Sequence, residues 1–410
     1  MIPREAAPTL LKLAGQFPAV AVTGPRQSGK TTLVRKLFAD RPFVSLEELD
    51  ERDFAFDDPR GFLDRFPDGA VLDEAQRAPD LFSYLQRRLD EAEKPGRFIL
   101  TGSQQFGLLA GITQTLAGRV ALLTLLPFSL GELQAAGEGP ASLEELLHAG
   151  LYPPIHDRGV EPSLWFDNYV RTYVERDVRQ MVNVRDLGDF RRFVRMCAAR
   201  TGQLLNLSGL AGDCGVSHNT AKSWIGVLEA SYLVHLVQPH HENFEKRLIK
   251  TPKLYFHDPG LAAWLVGVET AEQLATHAQR GPLFETWVAS ELVKGRANRG
   301  RRSNLTFWRD RTGHEVDFLL ERDGKTIPVE VKSGRTVASD ALKPIERWKA
   351  LAGERAGGGW LVYGGDERQG RRQGEVLPWR EIGGLVGVGR AGGGETGRQD
   401  AVRSQPLHGK

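Results

Sequence analysis

Residues 24–31, GPRQSGKT, constrain this chain more than any other stretch, because they match the phosphate-binding pattern G-x-x-x-x-G-K-[ST]. They directly follow the apolar run at residues 19–23 and precede residues 32–38, in which apolar side chains recur at helical spacing. A loop between a strand and a helix can turn its backbone N–H groups around the phosphates of a nucleotide. In such a loop Lys30 supplies a positive charge and Thr31 offers a hydroxyl to Mg²⁺. The sequence therefore predicts a site for ATP and Mg²⁺.

Four more short apolar runs follow, separated by helical stretches, and they indicate a parallel α/β sheet with ligands at the carboxyl ends of its strands. The runs lie at residues 43–46, 70–74, 97–101 and 120–124. Asp73 and Glu74 close the second of these runs. In a P-loop ATPase such a pair binds the metal, here through Asp73, and polarises the attacking water, here through Glu74. The pair also suits a helix cap with an acidic first turn, and the two interpretations are compatible.

The predicted nucleotide contacts come from the loop itself and from one later strand end. The loop residues are Gly24, Pro25, Arg26, Gln27, Ser28, Gly29, Lys30, Thr31 and Thr32. Ser103 lies in residues 101–105, where a hydroxyl can contact the γ-phosphate or the attacking water, although an ordinary polar turn explains it equally well. Arg119, just before the last run, can stabilise transition-state charge in its own chain or across a subunit boundary. A surface arginine is the simpler interpretation of Arg119, so oligomerisation stays open.

Four motifs in this order resemble the AAA-type ATPase domain of a large prokaryotic family. They are GPRQSGKTTL, VLDEAQRAPDLF, LTGSQQF and TLAGRVALLTLLPFSLGEL, within residues 15–135. In that family a second region, known mainly as a domain of unknown function, follows the ATPase, and TYVERDVRQMVNVRDL resembles the sequence that opens it. The resemblance implies an ATP-binding AAA-like module with Lys30, Thr31, Asp73 and Glu74 in the roles given above. It also makes residues 176 and 179, both arginines, candidates for contacts to the nucleotide domain.

The length of 410 residues exceeds what one hydrophobic core usually serves, so two or three domains are expected. We predict an α/β multidomain protein whose parts are a P-loop AAA-like domain (1–150), a helical and winged-helix region (151–275), a restriction-endonuclease-like α/β domain (280–382) and a disordered Gly-rich tail (383–410).

Charge, cysteine content and hydropathy exclude several classes of protein. The net charge of +2 does not mark a nucleic-acid binder as a whole, so such binding would depend on local clusters. Two cysteines, Cys197 and Cys214, argue against a disulfide framework. No apolar run reaches the roughly 18 residues of a membrane span, and the start MIPREAAPTL has no apolar signal segment. The expectation is a soluble cytoplasmic protein without membrane association.

Residues 204–238 have the pattern of a helix-turn-helix. Two helices flank a Gly-containing turn, and the second would begin after Ser217. The N-terminal part of that second helix carries residues suited to DNA contacts, namely His218, Asn219, Lys222 and Ser223. Two strands at residues 234–237 and 253–256 would supply a wing. Modules of this kind also join domains or bind proteins, so DNA contact and protein contact both stay open.

Asp317 followed by Glu330-x-Lys332 resembles the D…(D/E)xK core of the restriction-endonuclease-like superfamily. Alternation along a strand places Glu330 and Lys332 on one face, so that two carboxylates can bind Mg²⁺ while Lys332 activates water. A helix bearing Glu285 precedes these strands, and a helix at 339–351 and a strand at 359–363 follow them, which is the order of the superfamily. Such folds are often reused without cleavage, so catalysis stays open.

The segment 294–311 carries seven positive charges and one negative, which predicts either a phosphate-contact patch or a solvated basic loop. The leading functional hypothesis is an ATPase that couples ATP binding or hydrolysis to DNA binding or processing. The alternative is an ATP-dependent regulatory switch whose C-terminal half binds a protein partner and cuts nothing.

Overall fold

A parallel sheet organises the amino-terminal third of the chain in the computed structural model. The structure describes residues 1–91, 94–102, 112, 115–174, 187–240 and 250–386, with residues 173 and 174 as backbone alone. Five described strands form this sheet: Ala19–Thr23 (β1), Phe43–Ser45 (β2), Ala70–Asp73 (β3), Phe98–Thr101 (β4) and Val120–Thr124 (β5). Their spatial order is β2-β3-β4-β1-β5, and every neighbouring pair is parallel. The predicted P-loop sheet is confirmed.

The interior strand β1 has no polar alternation because helices cover both faces of the sheet. Ala19 and Ala21 pack into the core on one face, whereas Val20 and Val22 pack into the core on the other. The helices around this sheet and immediately after it are Ala7–Ala14 (α1), Lys30–Leu37 (α2), Leu49–Asp57 (α3), Pro59–Asp64 (α4), Leu81–Asp90 (α5), Leu130–Ala135 (α6) and Leu143–Ala149 (α7).

Helices dominate the middle of the chain. They are Pro153–Arg158 (α8), Pro162–Tyr169 (α9), Leu187–Ala199 (α10), Leu207–Cys214 (α11), His218–Ala230 (α12) and Pro259–Leu265 (α13). Trp165 and Tyr169 of α9 are buried. The chain continues as a π-helical turn at Val170–Val174, and Arg176 and Arg179 lie outside the described residues.

Helices α11 and α12 occupy the segment for which a helix-turn-helix is predicted. Gly215 lies between them with φ +70°, a left-handed conformation that favours glycine. The Ser217 hydroxyl accepts a hydrogen bond from the Thr220 N–H at 3.1 Å and so caps α12, as predicted. The further assignment to a winged helix stays a prediction.

A second, mixed sheet extends through the rest of the chain. Eight described strands form it: Val234–Pro239 (β6), Lys253–Phe256 (β7), Thr306–Arg309 (β8), Glu315–Arg322 (β9), Lys325–Lys332 (β10), Trp360–Tyr363 (β11), Gln369–Arg371 (β12) and Gly374–Pro378 (β13). Their order is β12-β13-β11-β10-β9-β8-β6-β7. Two helices pack on it, Arg280–Ala297 (α14) and Lys343–Ala352 (α15).

This sheet crosses the boundary expected between the middle and the C-terminal regions, because β6 pairs with β8. The domain limits stay predictions. Residues 379–384 form a short 3-10 helix that includes the first two residues of the expected tail, and residues 387–410 lie outside the described residues. No helix in the described ranges is long and apolar enough to cross a membrane.

Candidate nucleotide site

The phosphate loop connects β1 to α2 and requires glycine at two positions. Gly24 has φ +140°, and a Cβ there would overlap the carbonyl oxygen of Leu125. Gly29 has φ +90° and immediately precedes α2. Residues with a side chain rarely adopt such φ angles. The backbone conformation therefore explains why glycine occupies both positions of the sequence pattern. The loop therefore has the strand-loop-helix setting that the motif predicts.

The charged and hydroxyl groups of the motif converge with the acid of β3. Lys30 is 6% exposed, and its ammonium donates to the carbonyl oxygens of Gly24 at 3.0 Å and Pro25 at 2.7 Å. The Thr31 hydroxyl lies 3.0 and 3.2 Å from the two carboxylate oxygens of Asp73. The structure thus brings the two predicted Mg²⁺ ligands, Thr31 and Asp73, into direct contact. They fit the metal because a hydroxyl and a carboxylate are the oxygen ligands that Mg²⁺ uses beside nucleotide phosphates.

Glu74 and Thr101 complete this end of the sheet. The Thr101 hydroxyl contacts Asp73 and accepts from the Glu74 N–H at 3.3 Å. Burial raises the pKa of Asp73 above its usual range. Glu74 has φ +53°, and its carboxylate accepts from the Gln76 amide. The predicted sensor Ser103 lies outside the described residues.

Glu74 and the phosphate loop line one cavity of about 200 Å³. The lining residues are Arg26, Gln27, Gly29, Lys30, Thr31, Thr32 and Glu74. Lys30, Thr31 and Glu74 thus face one volume, and Thr31 also contacts Asp73, so four predicted residues can act on the same ligand.

Arg119 lies at the amino ends of the strands, opposite to the carboxyl ends that bear the phosphate loop. It directly precedes β5, and its carbonyl oxygen accepts from the Ala19 N–H, at the start of β1, at 3.3 Å. Its guanidinium pairs with Asp90, with Nη2 3.0 Å from Oδ2. The loop follows the other end of β1, so this geometry does not bring Arg119 to the site of its own chain. A role across a subunit boundary stays a prediction.

Two residues that the sequence analysis missed contact the loop or its strand. Arg4 donates to the carbonyl oxygen of Ser28, within the loop, at 2.6 Å. Tyr232, which follows α12, donates to the Thr23 hydroxyl at 2.8 Å, one residue before the loop. No local pattern marks either residue, since each acts on a distant part of the chain.

The four residues predicted for a nuclease-like site approach one another on α14, β9 and β10. Lys332 Nζ lies 2.6 Å from Glu330 Oε1, and the Val331 N–H donates to Asp317 Oδ2 at 2.8 Å. Burial and the nearby charge of Asp317 raise the pKa of Glu285 to about 7 and that of Glu330 to about 8. The structure therefore brings the predicted residues into one electrostatically coupled cluster.

A buried lysine lies among these carboxylates. Lys253 of β7 is 3% exposed, and its ammonium lies 3.1 Å from Glu285 and also contacts Glu315. Burial lowers its pKa, but Glu285 and Asp317 outweigh burial, and the pKa of Lys253 is raised. Tyr255 donates to the same Glu285 oxygen at 2.5 Å. Lys253 is thus an internal cation of the cluster, whereas the sequence predicts only a strand at this position.

The carboxylates of the cluster, among them those predicted to bind Mg²⁺, already have protein partners. Within the described ranges, no group of three or more His, Cys, Asp or Glu side chains is placed to hold one metal ion. One oxygen of Glu285 accepts from both Lys253 and Tyr255. Glu330 Oε2 is buried and has no hydrogen-bond partner among the described residues. Mg²⁺ binding at this cluster therefore stays a prediction.

The basic segment at residues 294–311 is partly buried. Lys294 has no exposed surface, and its ammonium lies 3.0 Å from Glu291 and 2.8 Å from the Phe128 carbonyl oxygen. Arg309 pairs with Glu315 at 3.1 Å. Neither the phosphate-contact patch nor the solvated loop describes Lys294, because its charge is buried and paired, whereas the Arg309 side chain is 37% exposed and both interpretations stay open for it.

Three family models match successive parts of this chain. An AAA domain matches residues 16–134, and two domains of unknown function, DUF8612 and DUF4143, match residues 140–272 and 280–382. The uncharacterized proteins Rv2008c of Mycobacterium tuberculosis and Mb2031c of Mycobacterium bovis are each 31% identical over 336 residues, which is 81% of this chain and 74% of theirs. The chain belongs to this family of AAA-type ATPases.

Solved structures with a similar chain path include a Walker-type ATPase of Pyrococcus abyssi. It is 14% identical with a TM-score of 0.44, over 65% of this chain and 96% of that one. A RuvB variant from Thermotoga maritima is 18% identical with a TM-score of 0.31, over 57% of this chain and 89% of that one. Within the AAA-type ATPase family, the present chain combines a P-loop domain with a C-terminal sheet domain.

Proposed function

We propose that this AAA-type ATPase binds ATP with Mg²⁺ at residues 24–31, hydrolyses it, and couples its nucleotide state to DNA binding by the middle region. The observation that carries the first part is the convergence of Lys30, Thr31, Asp73 and Glu74. Burial of the two cysteines as free thiols supports a reducing compartment, and we propose the cytoplasm.

Each group at the site has a distinct task. The loop N–H groups would orient the phosphates, and the Lys30 ammonium would neutralise their charge. Thr31 and Asp73 would hold Mg²⁺, which supplies further neutralisation of phosphate charge when it is bound. Glu74 would take the proton of the attacking water. Each of these tasks uses a group that this chain already places at the carboxyl end of β1 or β3.

The nucleoside would lie in a neighbouring cavity of about 120 Å³. This cavity shares part of the loop with the phosphate cavity and adds the N-terminal segment and α8. Its lining includes Ile2, Arg4, Gln27, Gly29, Thr32, Phe128, Pro153, Pro154, Asp157 and Arg158. Its apolar members would contact the planar ring, and its polar members would fix the orientation of the nucleoside.

Lys30→Ala is expected to lower ATP affinity by about 100-fold, because a charge-assisted contact to phosphate is lost in a buried site. Isothermal titration of the full chain with Mg²⁺ and ATP measures the effect. Lys36→Ala is the matched control, since Lys36 is exposed on the same helix. Unchanged affinity and turnover in Lys30→Ala would refute the phosphate-loop assignment.

DNA binding is proposed from the exposed N-terminal face of α12. His218, Asn219, Lys222 and Ser223 are exposed there, while Trp224 and Ile225 are buried beneath them. This is the arrangement in which a helix offers polar side chains to the major groove while its other face packs in a core. The face thus supports contact to DNA by the second helix of the pair.

Lys222→Ala is expected to weaken binding several-fold to DNA of any sequence, because one contact to a phosphate is lost. The slope of log affinity against log salt concentration should fall by about one. Fluorescence anisotropy with duplex DNA at about 50 and about 200 mM salt, with and without ATP, tests this. Lys349→Ala, on α15, is the control. No DNA affinity of the wild-type chain at low salt would exclude the DNA hypothesis.

The alternative, a regulatory or interaction protein with a non-cutting nuclease-like domain, is favoured by one observation. Lys253 contacts Glu285 and Glu315, so a buried protein cation already balances carboxylates of the cluster, and within the described ranges no group of three or more His, Cys, Asp or Glu side chains is placed to hold a metal ion. We therefore propose that the C-terminal domain binds its partner and does not cleave nucleic acid. If the chain has no affinity for DNA, we propose that this partner is a protein. Cleavage of plasmid DNA by the full chain in Mg²⁺ would overturn the non-cutting assignment.

A further inference from the structure

We propose that Arg4 is a positioning residue of the phosphate loop. Its guanidinium fixes the peptide plane between Ser28 and Gly29, so that the Gly29 N–H faces the position of the bound phosphates. This inference rests on the proposed ATP site. The carbonyl oxygen and N–H of a trans peptide point in opposite directions, so fixing one of them aims the other.

Arg4 reaches three segments of the nucleotide domain with three different donors. Nη1 donates to the Ser28 carbonyl oxygen at 2.6 Å, and Nη2 donates to the Leu126 carbonyl oxygen, just after β5, at 2.6 Å. Nε donates to Glu132 Oε1, on α6, at 3.0 Å. The guanidinium is planar and rigid, so three fixed acceptors determine its orientation. Arg4 is 8% exposed, and water has little access to compete for these bonds.

Glu132 holds the guanidinium in place. It is 2% exposed, and its Oε1 also accepts from the Glu5 N–H at 2.6 Å. Its Oε2 accepts from the Ser129 N–H at 3.0 Å, while the Ser129 hydroxyl accepts from the Glu132 N–H at 3.1 Å. A buried carboxylate with this many donors has one orientation, so the partner of Arg4 does not move with the loop. The arginine therefore connects the loop to residues 126–132 and Glu5, a rigid segment that we call the platform.

The loop needs such a connection because its backbone is intrinsically loose. Two glycines and Gln27, which has φ +63°, give it positive φ angles that cost conformational entropy to fix. Lys30 holds the first turn of the loop through the carbonyl oxygens of Gly24 and Pro25. Arg4 holds the exit of the loop. Preorganised donors bind an anion more tightly because less ordering remains for the binding step.

The platform itself rests on the C-terminal half of the chain. Lys294 of α14 donates to the Phe128 carbonyl oxygen at 2.8 Å, and the Leu130 N–H donates to Glu291 of α14 at 3.0 Å. Asn298 donates to the Glu5 carboxylate at 3.1 Å. The segment that aims Arg4 is thus held by the helix that also carries Glu285. Arg4 therefore links the phosphate loop, through the platform, to α14 of the C-terminal region.

A purely structural ion pair is the competing explanation, and three variants separate the two. Arg4→Met removes the contact to Ser28. Glu132→Gln weakens the ion pair but keeps an acceptor for Arg4 and leaves the contact to Ser28 intact. Arg97→Met is the matched control, because Arg97 also donates to carbonyl oxygens of the same domain, those of Arg88 and Pro67, away from the loop.

The experiment is isothermal titration of each full-length variant with ATP and Mg²⁺, alongside its thermal unfolding midpoint. Arg4→Met is expected to lose about 10- to 100-fold in ATP affinity, the worth of one hydrogen bond to a charged phosphate. Glu132→Gln is expected to lower the midpoint and to lose less affinity than Arg4→Met, because Arg4 keeps its contact to Ser28, whereas Arg97→Met is expected to lower the midpoint with an affinity within about 3-fold of the wild type. Arg4→Lys keeps one donor for Ser28 and should recover part of the affinity.

The inference is overturned if Arg4→Met binds ATP like the wild type, or if affinity falls in proportion to the unfolding midpoint across all variants. If Arg4→Met does not fold, Arg4→Lys carries the same comparison against Glu132→Gln. Lys30→Ala keeps the two proposals apart. A wild-type chain that binds ATP no better than Lys30→Ala refutes the ATP site, whereas a normal Arg4→Met affinity refutes only the role of Arg4.

Discussion

Glu74→Gln is expected to lower kcat for ATP hydrolysis by about 100- to 1000-fold, the usual contribution of a general base. Affinity for ATP should stay within about 3-fold, because Glu74 lines the phosphate cavity but is not part of the loop that binds the phosphates. Glutamine has the same shape and retains an oxygen for the Gln76 amide, yet it cannot take a proton from water. Loss of turnover without loss of binding therefore isolates the proton transfer.

Steady-state hydrolysis and titration with ATP, both on the full chain, measure the two quantities. Glu51→Gln is the control, since Glu51 pairs with Arg65 at the surface of the same domain, with Nη1 2.8 Å from Oε2. An unchanged kcat in Glu74→Gln would mean that another group activates the water. A parallel loss of affinity would mean that Glu74 contributes to binding rather than to the chemical step.

The nucleotide site could be predicted from the sequence because its determinants are local. The spacing of Gly24, Gly29 and Lys30 is set by the backbone of one loop, and a parallel sheet places the carboxyl ends of its strands along one edge. Because Thr31 follows the loop after β1 and Asp73 ends β3, this arrangement predicts that the two residues lie near each other. The contact of 3.0 Å between them follows from this topology.

The supports of the site could not be predicted, because they depend on contacts between distant parts of the chain. Arg4 lies in an N-terminal segment that matches none of the motifs, and Tyr232 reaches β1 from the middle region. Buried charges are the hardest case. Lys253 and Lys294 look like surface lysines in sequence, since lysine is almost never fully buried unless it is paired. Lys253 meets Glu285 and Glu315, and Lys294 meets the Phe128 carbonyl oxygen, only after distant parts of the chain have packed together.

Lys253→Met is expected to lower the free energy of unfolding by about 3–5 kcal/mol, because it removes one member of a buried ionic cluster and leaves the others uncompensated. Lys253 is 3% exposed, and its ammonium faces Glu285 and Glu315. Methionine has a similar length, so the change is mainly one of charge. Denaturant unfolding followed by tryptophan fluorescence reports the loss, since Trp287, Trp308, Trp348 and Trp379 are all buried in the C-terminal half.

The loss in Lys253→Met should also depend on pH. Burial and Asp317 already raise the pKa of Glu285 to about 7 in the presence of Lys253, so at about pH 5.5 this carboxyl can become neutral and needs no cation. When folding raises the pKa of a carboxyl, the protein loses stability as the pH rises through that raised pKa. The loss of unfolding free energy in Lys253→Met should therefore be larger at about pH 8.5 than at about pH 5.5. Adding Glu285→Gln should recover part of it at the higher pH. Lys325→Met, at an exposed lysine of β10, should show neither effect. A penalty independent of pH and of Glu285 would show that Lys253 stabilises the fold through its aliphatic chain rather than as the cation of the cluster.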